Sequence, residues 1–309
     1  MHKNGPAYAG PMSAGADLLL ITNSDAGTAD REAVDAAVAV LREGAETEVR
    51  ATSGPAELDD LLARAGDRTI VVAGGDGSIH AVVQALYDRE DLAGRTLALI
   101  PLGTGNDFAR TLGVPLEPEA AAHAVLAGTP RRTDLVVDDG EQVTVNSVHL
   151  GAGAEAGKRG ARWKARLGRI GYPIGALQTA ISPPSLRVLV EVDGEVVVDV
   201  DQPVLMVAVG NGASVGGGTE LTPGAEPHDG QVDVLVATPV SPVARLGYLL
   251  RLPFGRHEEH ADVRILRGRT VRVSGTPFDC NSDGEIEGPV RSRTWRVLPA
   301  AYAMVVPPR

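Results

Sequence analysis

From Asp17 to about residue 138, short apolar runs alternate with helical spacing. DLLLITN (Asp17–Asn23) reads as a buried strand, and TADREAVDAAVAVLREG behind it puts Val34, Ala37, Val38 and Leu41 on one helical face. TEVRAT is a second strand and ELDDLLARAG a helix ending at Gly66. RTIVVA is a third strand, Ile79–Tyr87 a helix, RTLALI (Arg95–Ile100) a fourth strand, and EPEAAAHAVLAG a helix closed by Gly128. Such alternation predicts βαβ units and a mainly parallel sheet.

From about Gln142 the period shortens to two. SLRVLVEVDGEVVVDV (Ser185–Val200) is two alternating runs joined by Asp193-Gly194, a hairpin signal. VLMVAVG, QVDVLVA, DVRILRG, TVRVSG, TWRVL and YAMVV read as further strands, interrupted by a helix near Pro242–Arg251 and a basic, partly helical stretch near Lys158–Leu177. The expectation is an α/β N-terminal domain with a mainly parallel sheet (17–138), followed by an antiparallel β-rich sandwich domain (139–309). Residues 1–16 are expected to form a mobile tail.

The totals narrow the setting. The 309 residues are 43% hydrophobic and 22% charged, enough for a substantial core in a globular protein. A net charge of -11 argues against nucleic acid as a partner of the whole surface. Cys280 is the only cysteine, so no intrachain disulfide can form. No apolar run approaches the roughly 20 residues of a membrane helix, and Leu18–Ile21 is too short for a signal peptide core. A cytoplasmic protein is expected; the sequence leaves monomer and homodimer open.

Two glycine turns follow strands: GGDGS (Gly74–Ser78) and PLGTGNDFAR (Pro101–Arg110). In open α/β sheets ligands bind at the carboxyl edge of the strands. Glycines there let successive backbone N–H groups approach an anion at a helix N-terminus. Asp76 and Asp107 would repel a polyphosphate unless a divalent cation lay between. No G-x-x-x-x-G-K-[ST] loop is present, and GGDGSIH lacks the third glycine of G-x-G-x-x-G.

This pair of turns resembles the diacylglycerol-kinase catalytic-domain family of lipid kinases. VNSVHLGAGAEA (Val145–Ala156), VGNGASVGGGTELTPGAEPHDGQVDVLV (Val209–Val236) and DGEIE (Asp283–Glu287) continue the resemblance almost to the C-terminus. It implies a nucleotide-binding domain like that of NAD kinases and phosphofructokinases, and a β-sandwich lipid-substrate domain. It implies transfer of the γ-phosphoryl group of ATP to the hydroxyl of a diacylglycerol-like lipid. Asn23, Gly27, Gly74, Gly75, Gly77, Ser78, Thr104, Gly105 and Asn106 match the residues around the nucleotide. Asp76, Asp107 and Asp134 match the aspartates that hold catalytic Mg²⁺, partly through water. Glu285 matches the general base, on a segment that must fold back over the cleft between domains. Asp229 matches a second, structural metal site completed mainly by backbone carbonyls. Read without the family, SDGE is a hairpin turn, HDG a plain turn, and Asp134 an exposed strand residue. The chain departs from the family in having Asn23-Ser24-Asp25-Ala26-Gly27 where Asn-Pro-x-(Ser/Ala)-Gly is common, and His80-Ala81 where Asn-Glu often follows GGDGS.

Lys158, Arg159, Arg162, Lys164, Arg166 and Arg169 lie together around Trp163 with no acidic residue between them. Beside a lipid-kinase site, a basic segment with an aromatic suggests docking to an anionic membrane surface; a solvated helix face is the alternative. HEEH (His257–His260) has its histidines three apart rather than four, the wrong spacing for H-E-x-x-H zinc. An NAD-kinase-like small-molecule kinase and a catalytically inactive nucleotide- or lipid-binding regulator are the competing readings. The second-domain motifs weigh against the first; the presence of all four acidic candidates weighs against the second.

Overall fold

The computed structural model describes residues 17–24, 27–151, 186–238, 241–252 and 255–308. The expected tail and the basic stretch around Lys158–Arg169 lie outside them. Two compact units result, one from the chain up to Leu135 plus the stretch from Pro299 onward, the other from Val136–Leu298.

The first unit begins with β1 (Asp17–Asn23), α1 (Thr28–Gly44), β2 (Glu46–Thr52), α2 (Pro55–Ala63) and β3 (Thr69–Gly74). It continues with α3 (Asp76–Asp88), β4 (Thr96–Pro101), α4 (Asp107–Thr111), α5 (Pro118–Ala127) and most of β5 (Thr129–Asp138). β1 pairs in parallel with β2 and β3, and β3 with β4, as the alternation predicts. Leu18–Ile21, Ile70–Ala73 and Leu97–Ile100 are buried without interruption, because helices leave the strands no solvent face. Helix α3 starts three residues before the expected Ile79, so Asp76-Gly77-Ser78 is the helix's first turn rather than a loop ahead of it.

The second unit is antiparallel. Its strands are β6 (Val143–Thr144), β7 (Ser147–Gly151), β8 (Leu186–Val192), β9 (Glu195–Val198), β10 (Pro203–Val204) and β11 (Met206–Gly210). They continue with β12 (Ser214–Val215), β13 (Thr219–Glu220), β14 (Val232–Ala237), β15 (Val263–Gly268), β16 (Thr270–Ser282) and β17 (Glu285–Val306). Helix α6 (Pro242–Arg251) precedes β15. The first part of β16 pairs with β8 and the last part with β7, with register breaks between, so one strand serves both layers of a sandwich. Between the layers lies a valine-rich core including Val148, Val190, Val207, Val234, Val273 and Trp295. A smaller cluster joins Met206, Ala208, Leu235 and Val263 to Tyr248 of α6. Asp193-Gly194 turns the β8–β9 hairpin with φ of 51° and 84°, as the sequence predicts.

The C-terminal stretch corrects the expected organisation. TWRVL and YAMVV belong to one strand, β17, and residues from Pro299 onward join the first unit rather than the second. Ala303 and Met304 pair in parallel with Thr96 and Leu97 of β4. Gly128 explains how the last strand passes the end of α5: a Cβ there would lie 2.6 Å from the Ala124 carbonyl oxygen and 2.7 Å from that of Val306.

Candidate active site

In the first unit, Gly74 at the end of β3 pairs with Pro101 at the end of β4, so both glycine turns emerge side by side. The Leu102 N–H donates to the Gly74 carbonyl at 3.0 Å. A Cβ on Gly75 would meet the Gly103 Cα at 2.9 Å, and one on Gly103 would meet the Gly75 Cα at 2.6 Å. The turns therefore interlock backbone to backbone, which no larger residue permits. Gly77 is different: its φ is not positive, and an added Cβ would touch nothing within 4 Å. No crowding by the protein requires glycine there, whereas a ligand lying against the backbone would.

Asp76 joins the two turns. Its carboxylate oxygens accept the Asp107 N–H at 3.1 Å and the Phe108 N–H at 3.1 Å, at the start of α4. Asn106 sits in the left-handed region at φ 53° and donates from Nδ2 to the Gly103 carbonyl at 2.8 Å. Its Oδ1 is buried without a hydrogen-bond partner. A buried, unpartnered amide oxygen costs about 1–3 kcal/mol unless something binds it. Carboxylates at Asp76 and Asp107 beside such an oxygen supply the hard donors that a divalent cation takes, so these residues fit the group. Helix α3 carries no side-chain cap, leaving its positive end for an anion.

An open cleft follows this edge. Thr22 and Asn23 of β1, Asp30 of α1, Gly74 and Gly75, Ser78, and Leu102 and Gly103 line it. Asn23, Gly74, Gly75 and Ser78 are thus brought together along it. The Gly27 N–H donates to Asp30 at 3.3 Å, Thr104 is exposed, and the Gly105 carbonyl accepts from Arg110 Nε at 3.2 Å. Asp30 and Gly103 were missed by the sequence reading. Gly103 had a usable signal as the first glycine of PLGTG, while Asp30 looks like any first-turn acid. Asp134 is buried at 2% exposure and accepts the Ala300 N–H at 2.7 Å, so it is not an exposed strand residue. Among the described residues, no three His, Cys, Asp or Glu side chains are grouped closely enough to hold a metal ion directly.

In the second unit, three motif segments are knotted by hydrogen bonds. The Val145, Asn146 and Ser147 N–H groups donate to the Asp283 carboxylate at 2.6, 3.0 and 3.0 Å. The Asn146 carbonyl accepts the Asn211 and Gly212 N–H groups, and Asn146 Nδ2 donates to the Ser214 carbonyl at 2.9 Å. Asp283 and Gly284 have φ of 49° and 101°, the geometry of a tight hairpin between β16 and β17. Asn281 Oδ1 accepts the Gly284 N–H at 2.9 Å. The next residue, Glu285, is exposed and stands opposite Ser282. The turn is therefore a braced mount for a solvent-facing carboxylate, and the sequence reading missed Asp283 as its brace.

Burial decides the nearby ionisations. The Nδ1 of His149 is enclosed without a partner, and desolvation outweighs the attraction of Asp283, lowering this imidazole to about 4. Burial also pushes the Cys280 thiol up to about 12, which rules out a thiolate nucleophile. Asp229 is exposed and contacts Arg267, which also pairs with Asp233.

A parallel sheet edge with two interlocked, acid-bearing glycine turns has the parts that a phosphate-binding enzyme needs. Residues 17–137 match the diacylglycerol kinase catalytic domain, and residues 146–306 match the YegS C-terminal NAD kinase beta sandwich-like domain. A Pseudomonas aeruginosa protein named "Probable lipid kinase YegS-like" is 35% identical, with 94% of each chain covered. An Escherichia fergusonii protein named "Probable lipid kinase YegS" is 29% identical over 94% of this chain and 96% of its own. The crystal structure of a diacylglycerol kinase from Bacillus anthracis superposes with a TM-score of 0.74 at 25% identity, covering 96% of this chain and 99% of that one. The chain belongs to the diacylglycerol kinase catalytic-domain family. It is a lipid kinase by family, transferring phosphoryl to an alcohol.

Proposed function

We propose that this enzyme uses ATP and Mg²⁺ to phosphorylate the hydroxyl of a diacylglycerol-like lipid at an anionic membrane surface in the cytoplasm. The observation that carries the reading is the interlocked pair of glycine turns, with its unpartnered Asn106 Oδ1 and the open backbone at Gly77. Gly74, Gly75, Gly77, Ser78, Thr104, Gly105 and Asn106 cradle the phosphates, with Asn23 at the end of β1 and Gly27 at the start of α1. Asp76, Asp107 and Asp134 would hold the magnesium, partly through water. When bound, the metal offsets the charge that develops on the transferring phosphoryl group. Glu285 accepts the proton of the attacking lipid hydroxyl, a role worth about 10²–10⁴-fold. Lys158–Arg169 supplies docking charge, at about 1 kcal/mol per basic residue near the surface. No role is assigned to nucleic acid.

The test is incubation with γ-labelled ATP, Mg²⁺ and anionic vesicles carrying a panel of lipid alcohols. Label should appear in a lipid phosphate, most with diacylglycerol-type acceptors, and less when the vesicles are neutral. Label appearing in NAD or released only as inorganic phosphate would overturn the reading.

A further inference from the structure

The family resemblance places a structural metal at Asp229, and the side chains around it do not fit one. Asp233 lies inside β14 and is 3% exposed. Arg267 of β15 stands directly opposite it in the ladder. Arg267 Nε donates to Asp233 Oδ1 at 3.1 Å, and Nη2 donates to Asp229 Oδ2, so one guanidinium bridges both carboxylates. The other oxygen of Asp229 accepts the Gln231 N–H at 3.0 Å. The loop closes from the opposite side, where a Cβ on Gly224 would lie 2.9 Å from Asp233 Oδ2. Asp229 Oδ2 thus already has a full positive charge as its partner. A divalent ion bound by this carboxylate would face a fixed positive charge.

We propose that Arg267 is the resident cation of this turn, neutralising Asp229 and Asp233 and pinning the loop from Gly224 to Gln231 in place of a metal ion. A planar guanidinium with several donors suits two carboxylates at once, which a lysine ammonium does less well. Asp233 is the reason a cation is needed: a buried carboxylate without a partner is strongly unfavourable. This inference is independent of the phosphotransfer reading, since it concerns how the loop is held whatever the enzyme's substrate.

Melting temperatures of the full chain, taken in EDTA and in Mg²⁺, test it. For the parent, any gain from Mg²⁺ comes from binding elsewhere, so Asp229→Asn should show the same gain. Arg267→Ala should melt several degrees lower in EDTA and recover part of that loss in Mg²⁺, because the vacated carboxylates can now take a metal. Arg267→Lys should fall between, which keeps the test open if the alanine variant does not fold. Loss of the magnesium gain in Asp229→Asn, or an Arg267→Ala melting temperature equal to the parent's in EDTA, would overturn the proposal.

Discussion

Replacing Asp283 by alanine should damage the second unit more than its place on a hairpin turn suggests. Its carboxylate accepts three backbone N–H groups, from Val145, Asn146 and Ser147, all of them buried residues. A hydrogen bond to a charged group contributes about 1.5–3 kcal/mol, and each buried donor left alone costs about 1–3 kcal/mol. The three share one acceptor, so their losses do not add fully, and about 3–6 kcal/mol is the expected total. A further cost of about 1 kcal/mol comes from the backbone, because φ is 49° and alanine tolerates that region less well than aspartate. Asp283→Asn keeps one acceptor oxygen and the turn preference, and should lose about half as much. Urea unfolding gives the magnitude, and hydrogen exchange locates it: the amides of Val145–Ser147 should lose protection first. An alanine variant within about 1 kcal/mol of the parent, or protection unchanged at those amides, would refute the bracing argument.

Gly103→Ala places a Cβ 2.6 Å from the Gly75 Cα, where no flexible side chain can yield, so nucleotide affinity should fall at least tenfold by calorimetry. Gly77→Ala, with open space around it, should leave the melting temperature unchanged while weakening the same affinity; equal affinity would argue against a ligand there. His149 makes stability depend on pH. The unfolded imidazole titrates near 6.5 and the native one at about 4, so between those values the unfolded chain binds the extra proton. Its contribution is complete above pH 6.5 and is lost as pH falls toward 4, with a ceiling of about 3 kcal/mol. Urea midpoints of the parent and His149→Gln should diverge across this window; parallel curves would contradict the assignment.

The first unit was readable because β1, β3 and β4 are buried on both faces and appear as unbroken apolar runs between helical stretches. The interlocking of Gly75 with Gly103 was not, since it depends on two turns becoming neighbours through β3–β4 pairing. β17 was misread as two strands for a local reason. LPAAYAMVV looks like a break, but Ala300 adopts φ 53° and donates its N–H to Asp134, so the strand passes through a kink. The same hydrogen bond accounts for the burial of Asp134, which its polar setting in RRTDLVV hid. Glu285 could be picked out by its motif, whereas the bracing of its turn through Asp283 arises only when Val145–Ser147 comes alongside. Arg267 lies 38 residues from Asp229, and no spacing rule links them.

In the proposed reaction, Glu285 takes the proton from a lipid alcohol during phosphoryl transfer from a nucleotide held by the glycine turns. Single-turnover transfer from labelled ATP to diacylglycerol, compared between the parent and Glu285→Gln, tests it directly. The glutamine variant should lose about 10²-fold or more in rate, with nucleotide affinity and melting temperature unchanged. A glutamine variant that transfers phosphoryl nearly as fast as the parent would contradict it.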